Sequence, residues 1–467
     1  MRLSHSLDKT RAVFDDPNLL THAGLAPLMA LADQAGLPGL LAGVRPGGPC
    51  GVNAATKVAC LLGGMTAGAD SIDDMDLLRD GAMETLFDGV RAPSTLGSHL
   101  RSYAWGNVRQ LDRAHRGLLA ALAEDERLLP GKETFTFIDI DSTQKRVYGY
   151  GKEGAAFGHA KVAGKNLLVK GLNALISVIS TPLAAPVLGP VRLRGGSAGS
   201  ARGAAGLAAE AIGTARECGC TGTILVRMDS AYYNAATIRT IRRKKAYFSV
   251  TAPMNSSIRA AIAAIPEDAW TGIEYPQALW DDQLECWVSD AEVAGVPYAA
   301  FTSKPKNQQV TARLIVRRVR AKNKEAAQGQ DELFPAWRYH AVLTDSPVEL
   351  VQAESQHRDH AIIEQVNADL YAGALAHLPS GAFNANAAWL VIAAMAHNLL
   401  RAAGTRAGRS WAKTRTATVR RDLVTIGART ARHGHGNLVL HLPAGHHREH
   451  AWQNLWTDIC GPPARAA

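Results

Sequence analysis

Cysteine is scarce and scattered in this 467-residue chain: six residues, at positions 50, 60, 218, 220, 286 and 460, with no CxxC pair among them. A disulfide scaffold is thereby excluded, and Cys218-Gly219-Cys220 is too lean for a zinc site, so reduced thiols are expected. The opening residues, MRLSHSLDKTRAVFDD, lack the apolar run of a secretory leader. The most apolar segment, AAWLVIAAMAHNLL, breaks at His397 and Asn398, short of the roughly 20 residues a membrane span needs. It reads as a buried helix. No repeat of solenoid period occurs. Acid is in deficit: 51 Lys and Arg stand against 42 Asp and Glu, a net charge of +9. That balance suits a polyanionic partner and equally a basic enzyme.

What is present divides along the chain, whose length calls for two to four units. Residues 1–125 read as helical, from the three-and-four spacing of apolar positions in NAATKVACLLGGMTAGA and IDDMDLLRDGAMETLF. Ser94, after Pro93, is a candidate N-cap for a short helix that shows His99, Arg101 and Arg109 outward. Such a helix can enter a major groove or can be a bundle helix with a solvated basic side. From 126 to 252 strands alternate with helices: TFTFIDID, NLLVKGLNALISVIS, AAPVLGPVRLRG and GTILVRMDS are strand-like, and NAATIRTIRRKKA is a helix carrying Arg242, Arg243 and Lys244. This implies an α/β sheet. Residues 253–340 read as a β-rich insertion with Trp280, Trp287 and Trp337 as core candidates and a polar loop, KNKEAAQGQDE. Residues 341–410 return to helix. The 411–467 region is basic, and 401–432 holds nine Lys or Arg to one Asp, including Arg420 and Arg421. Its HGHGNLVLHLPAG reads as a hairpin or short strand, with the histidines there and in HHREH solvated or near phosphate.

Three acids stand where chemistry can use them. Alternation in FIDIDST puts Asp139 and Asp141 on one face and Ile138 and Ile140 on the other. Asp141 is one step nearer the strand's end, and Asp229 ends a second strand. Ligands of α/β sheets bind at such rims. In the helix after the insertion, positions 357, 360, 364, 367 and 371 share one helical stripe, which reads His357, His360, Glu364, Asn367, Tyr371. Oxygen ligands of this kind suit Mg²⁺, and two ions about 3.5–4 Å apart suit phosphodiester transfer.

The order strand-Asp, strand-Asp, helix-Glu, with a β-rich stretch before the Glu, resembles the DDE transposases of bacterial insertion sequences. Asp141-Ser142-Thr143 matches the family's first motif, Asp229-Ser230-Ala231-Tyr232 its second, and Glu364 its third acid. The tail VRRDLVTIGARTAR…NLVLHLPAG also looks like that of one subgroup. The resemblance implies an RNase H-like catalytic core, interrupted by the β-rich insertion and preceded by a helical DNA-binding region. It implies Asp141, Asp229 and Glu364 as catalytic metal ligands for two Mg²⁺ ions, with Mn²⁺ as a substitute. The partners it implies are double-stranded DNA, both the inverted repeats at the element's ends and the target, and a second copy in a synaptic homodimer. No membrane is involved, and the setting would be the bacterial cytoplasm and nucleoid. Candidate DNA contacts are Arg101, Arg242, Arg243, Lys244, His357, Arg358, His360, Arg420 and Arg421. The chain departs from many members in placing His357, His360 and Tyr371 where they carry Tyr, Arg and Lys.

Two other readings use the same residues. FIDIDST also fits the DxDxT motif of haloacid dehalogenase-like phosphatases, in which Asp139 would be the nucleophile and Asp141 the general acid. No late acidic pair accompanies it. A non-catalytic DNA-binding protein derived from a transposase is the other, and the three intact acids argue against it.

Overall fold

The computed structural model describes residues 4–149, 151–162, 165–273, 280–281, 286–287, 291–320 and 337–462. The polar loop expected at KNKEAAQGQDE and the side chain of Trp287 lie outside these residues. The fold is mixed α/β, organised around a ten-stranded sheet. At its centre the Phe135–Arg146 strand lies antiparallel to Lys165–Ser180 and parallel to Thr223–Met228, which in turn lies parallel to Tyr247–Thr251. The hairpin strand Ala156–Val162 closes one side, and Val187–Arg194 also pairs with Lys165–Ser180.

The strands of the 253–340 stretch extend this same sheet. Trp337–Thr344 pairs with Tyr247–Thr251, followed by Val310–Arg320, Ala291–Ala300 and Thr271–Ile273, all antiparallel. Their apolar residues have a core of their own, in which Ala294, Leu314, Val316 and Ala341 pack on Ile258 and Ile262 of the Ser256–Ala263 helix. Backbone pairing therefore runs on where the composition changes. Of the tryptophans, Trp280 is 50% exposed, and Trp337 packs with the Arg318 guanidinium 4.4 Å from its ring centre.

The apolar segment that ends at His397 and Asn398 belongs to a longer helix, Phe383–Ala407, of 25 residues. By length and composition it could cross a membrane, yet its apolar window is wholly buried inside the protein. Asn398 shows why the polar residues do not stop it. Its amide receives the Leu188 N–H at 2.7 Å and donates to the Leu188 carbonyl at 2.8 Å, acting as one more ladder partner for the Val187–Arg194 strand. Both backbone groups are thus satisfied inside the core. Trp389 does the same for the Ala374 carbonyl, at 2.6 Å. Each large apolar side chain buried along this helix stabilises by roughly 1.5–3 kcal/mol.

Helices Ala54–Ala67 and Trp105–Leu122 pack on the same central helix. The Pro93–Arg101 helix is capped by Ala92, with Pro93 in its first turn, so Ser94 lies one residue inside. Pro fits there because its missing N–H has no partner to lose. His99 does not face outward: it is fully buried, with Nδ1 2.9 Å from the Cys50 carbonyl. Arg109 is also tied inward, to Asp112 at 3.1 Å and to Glu210 at 2.8 Å. Arg101 remains exposed. At the far end Ala428–Arg432 and Leu438–His441 form a hairpin in which HGHGNLVLHLPAG supplies the turn and one short strand, and Leu19–Leu20 adds a third strand.

Candidate active site

Parallel pairing of the two central strands stops at Ile140 and Met228: Thr223–Met228 ends there, but Phe135–Arg146 runs on, so Asp141 lies within its strand and not at the strand's end expected from sequence. Asp141 and Asp229 follow that last pair and form a rim. Asp139 pairs in register with Arg227, two positions before Asp141 and Asp229 respectively. Side chains two apart share a face, so the pair Asp139 and Arg227 forms the floor beneath the pair Asp141 and Asp229.

The floor is closed. Asp139 has no solvent exposure and receives Arg227 Nε and Nη2 at 2.7 Å each and the His360 ring at 2.8 Å. Burial pushes its carboxyl up, but Arg227 and His360 outweigh that and hold it below the usual carboxylate range. Arg227 also donates to the Gln356 carbonyl at 2.6 Å, so the strand pair grips the Leu350–Arg358 helix, which leads into the one bearing the third acid. Behind it, His357 is buried with its two ring nitrogens 2.8 Å from Ser249 Oγ and 2.9 Å from Thr251 Oγ1. Burial, then the neighbouring His360 and Arg227, lower its pKa to about 3. A neutral ring that spans two hydroxyls is a strut, and it has no surface from which to reach DNA.

The rim is open. Asp141 uses one oxygen to receive the Ser142 N–H at 2.6 Å. Asp229 is exposed and receives the Ala231 N–H at 2.9 Å, capping the short Ser230–Tyr232 turn. Glu364 is exposed in the first turn of the Ile362–Tyr371 helix. Burial raises the Asp141 carboxyl, and the negative charges of Asp229 and Glu364 raise it further, against the Ser142 N–H and His360. The three acids proposed from sequence are therefore brought within electrostatic reach of one another.

The expected stripe from 357 to 371 holds in part: His360 bonds Asp139, the Glu364 charge reaches Asp141 and Tyr371 meets Thr143, whereas His357 is buried. Helix Leu350–Arg358 ends, a tight Asp359–Ala361 turn intervenes, and Ile362–Tyr371 begins anew. The tighter turn changes the angular offset between residues, and His357 is buried while Glu364 is exposed beside Asp141. Arg358 pairs with Glu354 at 2.9 Å, and Glu354 is buried between Arg358 and Arg317. Tyr371 places its hydroxyl against that of Thr143, with Lys145 Nζ 4.6 Å from its ring centre.

The other basic candidates divide. Arg243 and Lys244 are exposed, whereas Arg242 is tied to Asp345 at 2.8 Å and to the Thr311 carbonyl at 2.9 Å. Several of the 401–432 arginines are tied to other parts of the protein, although Arg409, Arg415, Arg421, Arg429 and Arg432 are exposed. Arg401 is buried on the Thr414 and Ala412 carbonyls, Arg406 meets Asp125 at 3.0 Å, and Arg415 meets Asp369 at 2.7 Å. Arg420 donates to the Ala372 carbonyl at 2.6 Å, at the end of the Glu364 helix. Arg421 is exposed but paired with Asp422. Sequence reading missed Lys145, and it missed Arg194, whose guanidinium is within charge reach of Asp141. Strand alternation from Asp141 through Thr143 to Lys145 was the available signal for the first.

Over residues 11–460 the sequence matches the family described as Transposase DDE domain group 1. The chain belongs to the DDE transposase family. No curated protein matches it. Membership makes this a transposase-type enzyme of DNA transposition and recombination, and DDE transposases generally use divalent metal ions. The donor set fits such an ion in kind, being hard carboxylate oxygens whose mutual repulsion a cation would relieve. Among the described residues no three His, Cys, Asp or Glu side chains are gathered closely enough to form a ready cage.

Proposed function

We propose that this transposase binds the inverted repeats at the ends of an insertion sequence, cleaves a DNA strand there and joins the resulting 3′ end to target DNA. Asp141, Asp229 and Glu364 are the acids of the reaction, and they would hold two Mg²⁺ ions, or Mn²⁺ in their place. Such ions supply an activated attacking oxygen and a stabilised leaving oxygen. The protein's own part is positioning. The N–H groups of Ser142 and Ala231 orient the two aspartates, and the Arg227 contact to Gln356 fixes the approach of the Glu364 segment. His360, Arg194 and Lys145 provide positive or hydrogen-bonding groups for phosphate at the edge.

One observation carries this reading: Asp141, just past the last parallel pair of the two central strands, is opposed by the negative charges of Asp229 and Glu364, in a chain that matches the family over nearly its whole length. The phosphatase alternative needs Asp139 as an accessible nucleophile, and Asp139 is enclosed by Arg227 and His360. The test is Glu364→Gln in purified protein. Nicking of DNA carrying the element's ends should vanish with Mg²⁺ or Mn²⁺, while end binding stays near wild type. Normal metal-dependent nicking by this variant would remove Glu364 from the role.

A further inference from the structure

The strand that carries Asp141 leads away from the acids along one face, through Thr143 to Lys145. About 13 Å beyond Asp141, by the rise of an extended strand, Lys145 enters a cleft of about 1120 Å³. Its walls are the strand's end, the Pro93–Arg101 helix, the Asp73–Leu78 turn and residues 376–379. Five cations line it, Arg79, Arg101, Lys145, Arg146 and Lys152, against Asp73 and Asp76.

Arg79 is taken by Asp76 at 2.8 Å, and Asp70, whose charge reaches Lys145, is bonded to His377 at 2.9 Å. Arg101, Lys145, Arg146 and Lys152 form no ion pair among the described residues. Lys152 donates to the Leu378 and Ser380 carbonyls at 2.6 and 2.9 Å, which leaves one of its three N–H groups. Burial holds the Lys145 ammonium below its usual range, so an anion beside it would be stabilising. At the mouth stands Tyr148, 69% exposed, with the Arg146 guanidinium 5.0 Å from its ring centre.

Cations along a concave wall with an exposed aromatic ring at its end match the needs of a single strand: phosphates track the charges and a base stacks on the ring. A paired base offers no free face for this. Resting on the DNA-processing reading above, we propose that this cleft binds a short run of unpaired DNA next to the carboxylate site, its phosphates on Arg101, Lys145, Arg146 and Lys152 and one base on Tyr148.

Fluorescence anisotropy of the full chain with a labelled oligothymidylate, and separately with a labelled mixed-sequence duplex, tests it. Joint Arg101→Ala and Arg146→Ala replacement should flatten the salt dependence of oligothymidylate binding by about 1.4 units of slope. Tyr148→Ala should weaken that binding about ten-fold, and Tyr148→Phe, which keeps the ring, should bind as wild type. Circular dichroism confirms that each variant is folded. Unchanged oligothymidylate binding in the folded Tyr148→Ala and paired-arginine variants, with duplex binding intact, overturns the cleft and leaves the transposase reading standing. Wild-type protein that binds neither probe overturns both.

Discussion

The floor and the rim of the site use the same residue types to opposite ends. Asp139 and Asp141 sit one strand step apart on one face, yet the first is fully enclosed and matched by Arg227 and His360 while the second faces two like charges. A buried charge with a complete set of partners is a structural element, costly to break and chemically silent. A carboxylate held among other carboxylates is left wanting a cation. Proximity in sequence thus says little about role, and completeness of partners says much.

Breaking the floor should give the largest stability effect. Arg227→Met leaves Asp139 buried without its main counter-charge and is expected to destabilise by about 3–5 kcal/mol, measured by urea unfolding. A loss under about 1 kcal/mol would mean that His360 alone satisfies Asp139.

The His357 strut should show in pH dependence. Its folded pKa, about 3, lies below the unfolded value near 6.5. As pH falls below about 6.5 the unfolded chain takes up the proton first, so the stability His357 contributes is full above that pH and is lost on the way down to about 3. Replacing it by His357→Gln, which can still bridge Ser249 and Thr251, should flatten the fall in unfolding free energy between pH 6 and 4 by up to about 1.4 kcal/mol per pH unit. Parallel slopes for the two proteins would show that the ring titrates freely.

Smallest is the outer surface. Arg421 is exposed and, among the described residues, pairs with its neighbour Asp422, so Arg421→Ala should leave the urea-unfolding midpoint close to wild type. Arg420→Ala should cost more, because it releases the Ala372 carbonyl at the end of the Glu364 helix. Equal effects from the two would remove that anchoring role.

The residues that were legible in the sequence are those governed by short-range periodicity. Alternation alone placed Asp139 and Asp141 on one face; the strand end expected at Asp141 is absent, since that strand runs on to Arg146, whereas Thr223–Met228 does end just before Asp229. The 357–371 stripe kept His360, Glu364 and Tyr371 along the Asp139–Thr143 strand and lost His357 to the core, and no spacing rule reveals the tight Asp359–Ala361 turn between two helical runs of ordinary composition. In the basic 401–432 segment the limit was a different one. Charge counting registers arginines but not their partners, and Asp125, Asp369 and Asp16 lie far away in sequence. His99 likewise turned inward to a carbonyl from residue 50. The continuity of the sheet through the 253–340 stretch was hidden because composition changed while backbone pairing did not.

The central claim, that rim and floor divide chemistry from support, is tested most directly by comparing nicking of element-end DNA by Asp141→Asn and Asp139→Asn, each shown to be folded. Asp141→Asn should be inactive with either metal, and Asp139→Asn should be less stable yet still cut. An inactive Asp139→Asn beside an active Asp141→Asn would contradict the division and return the motif to the phosphatase-like reading.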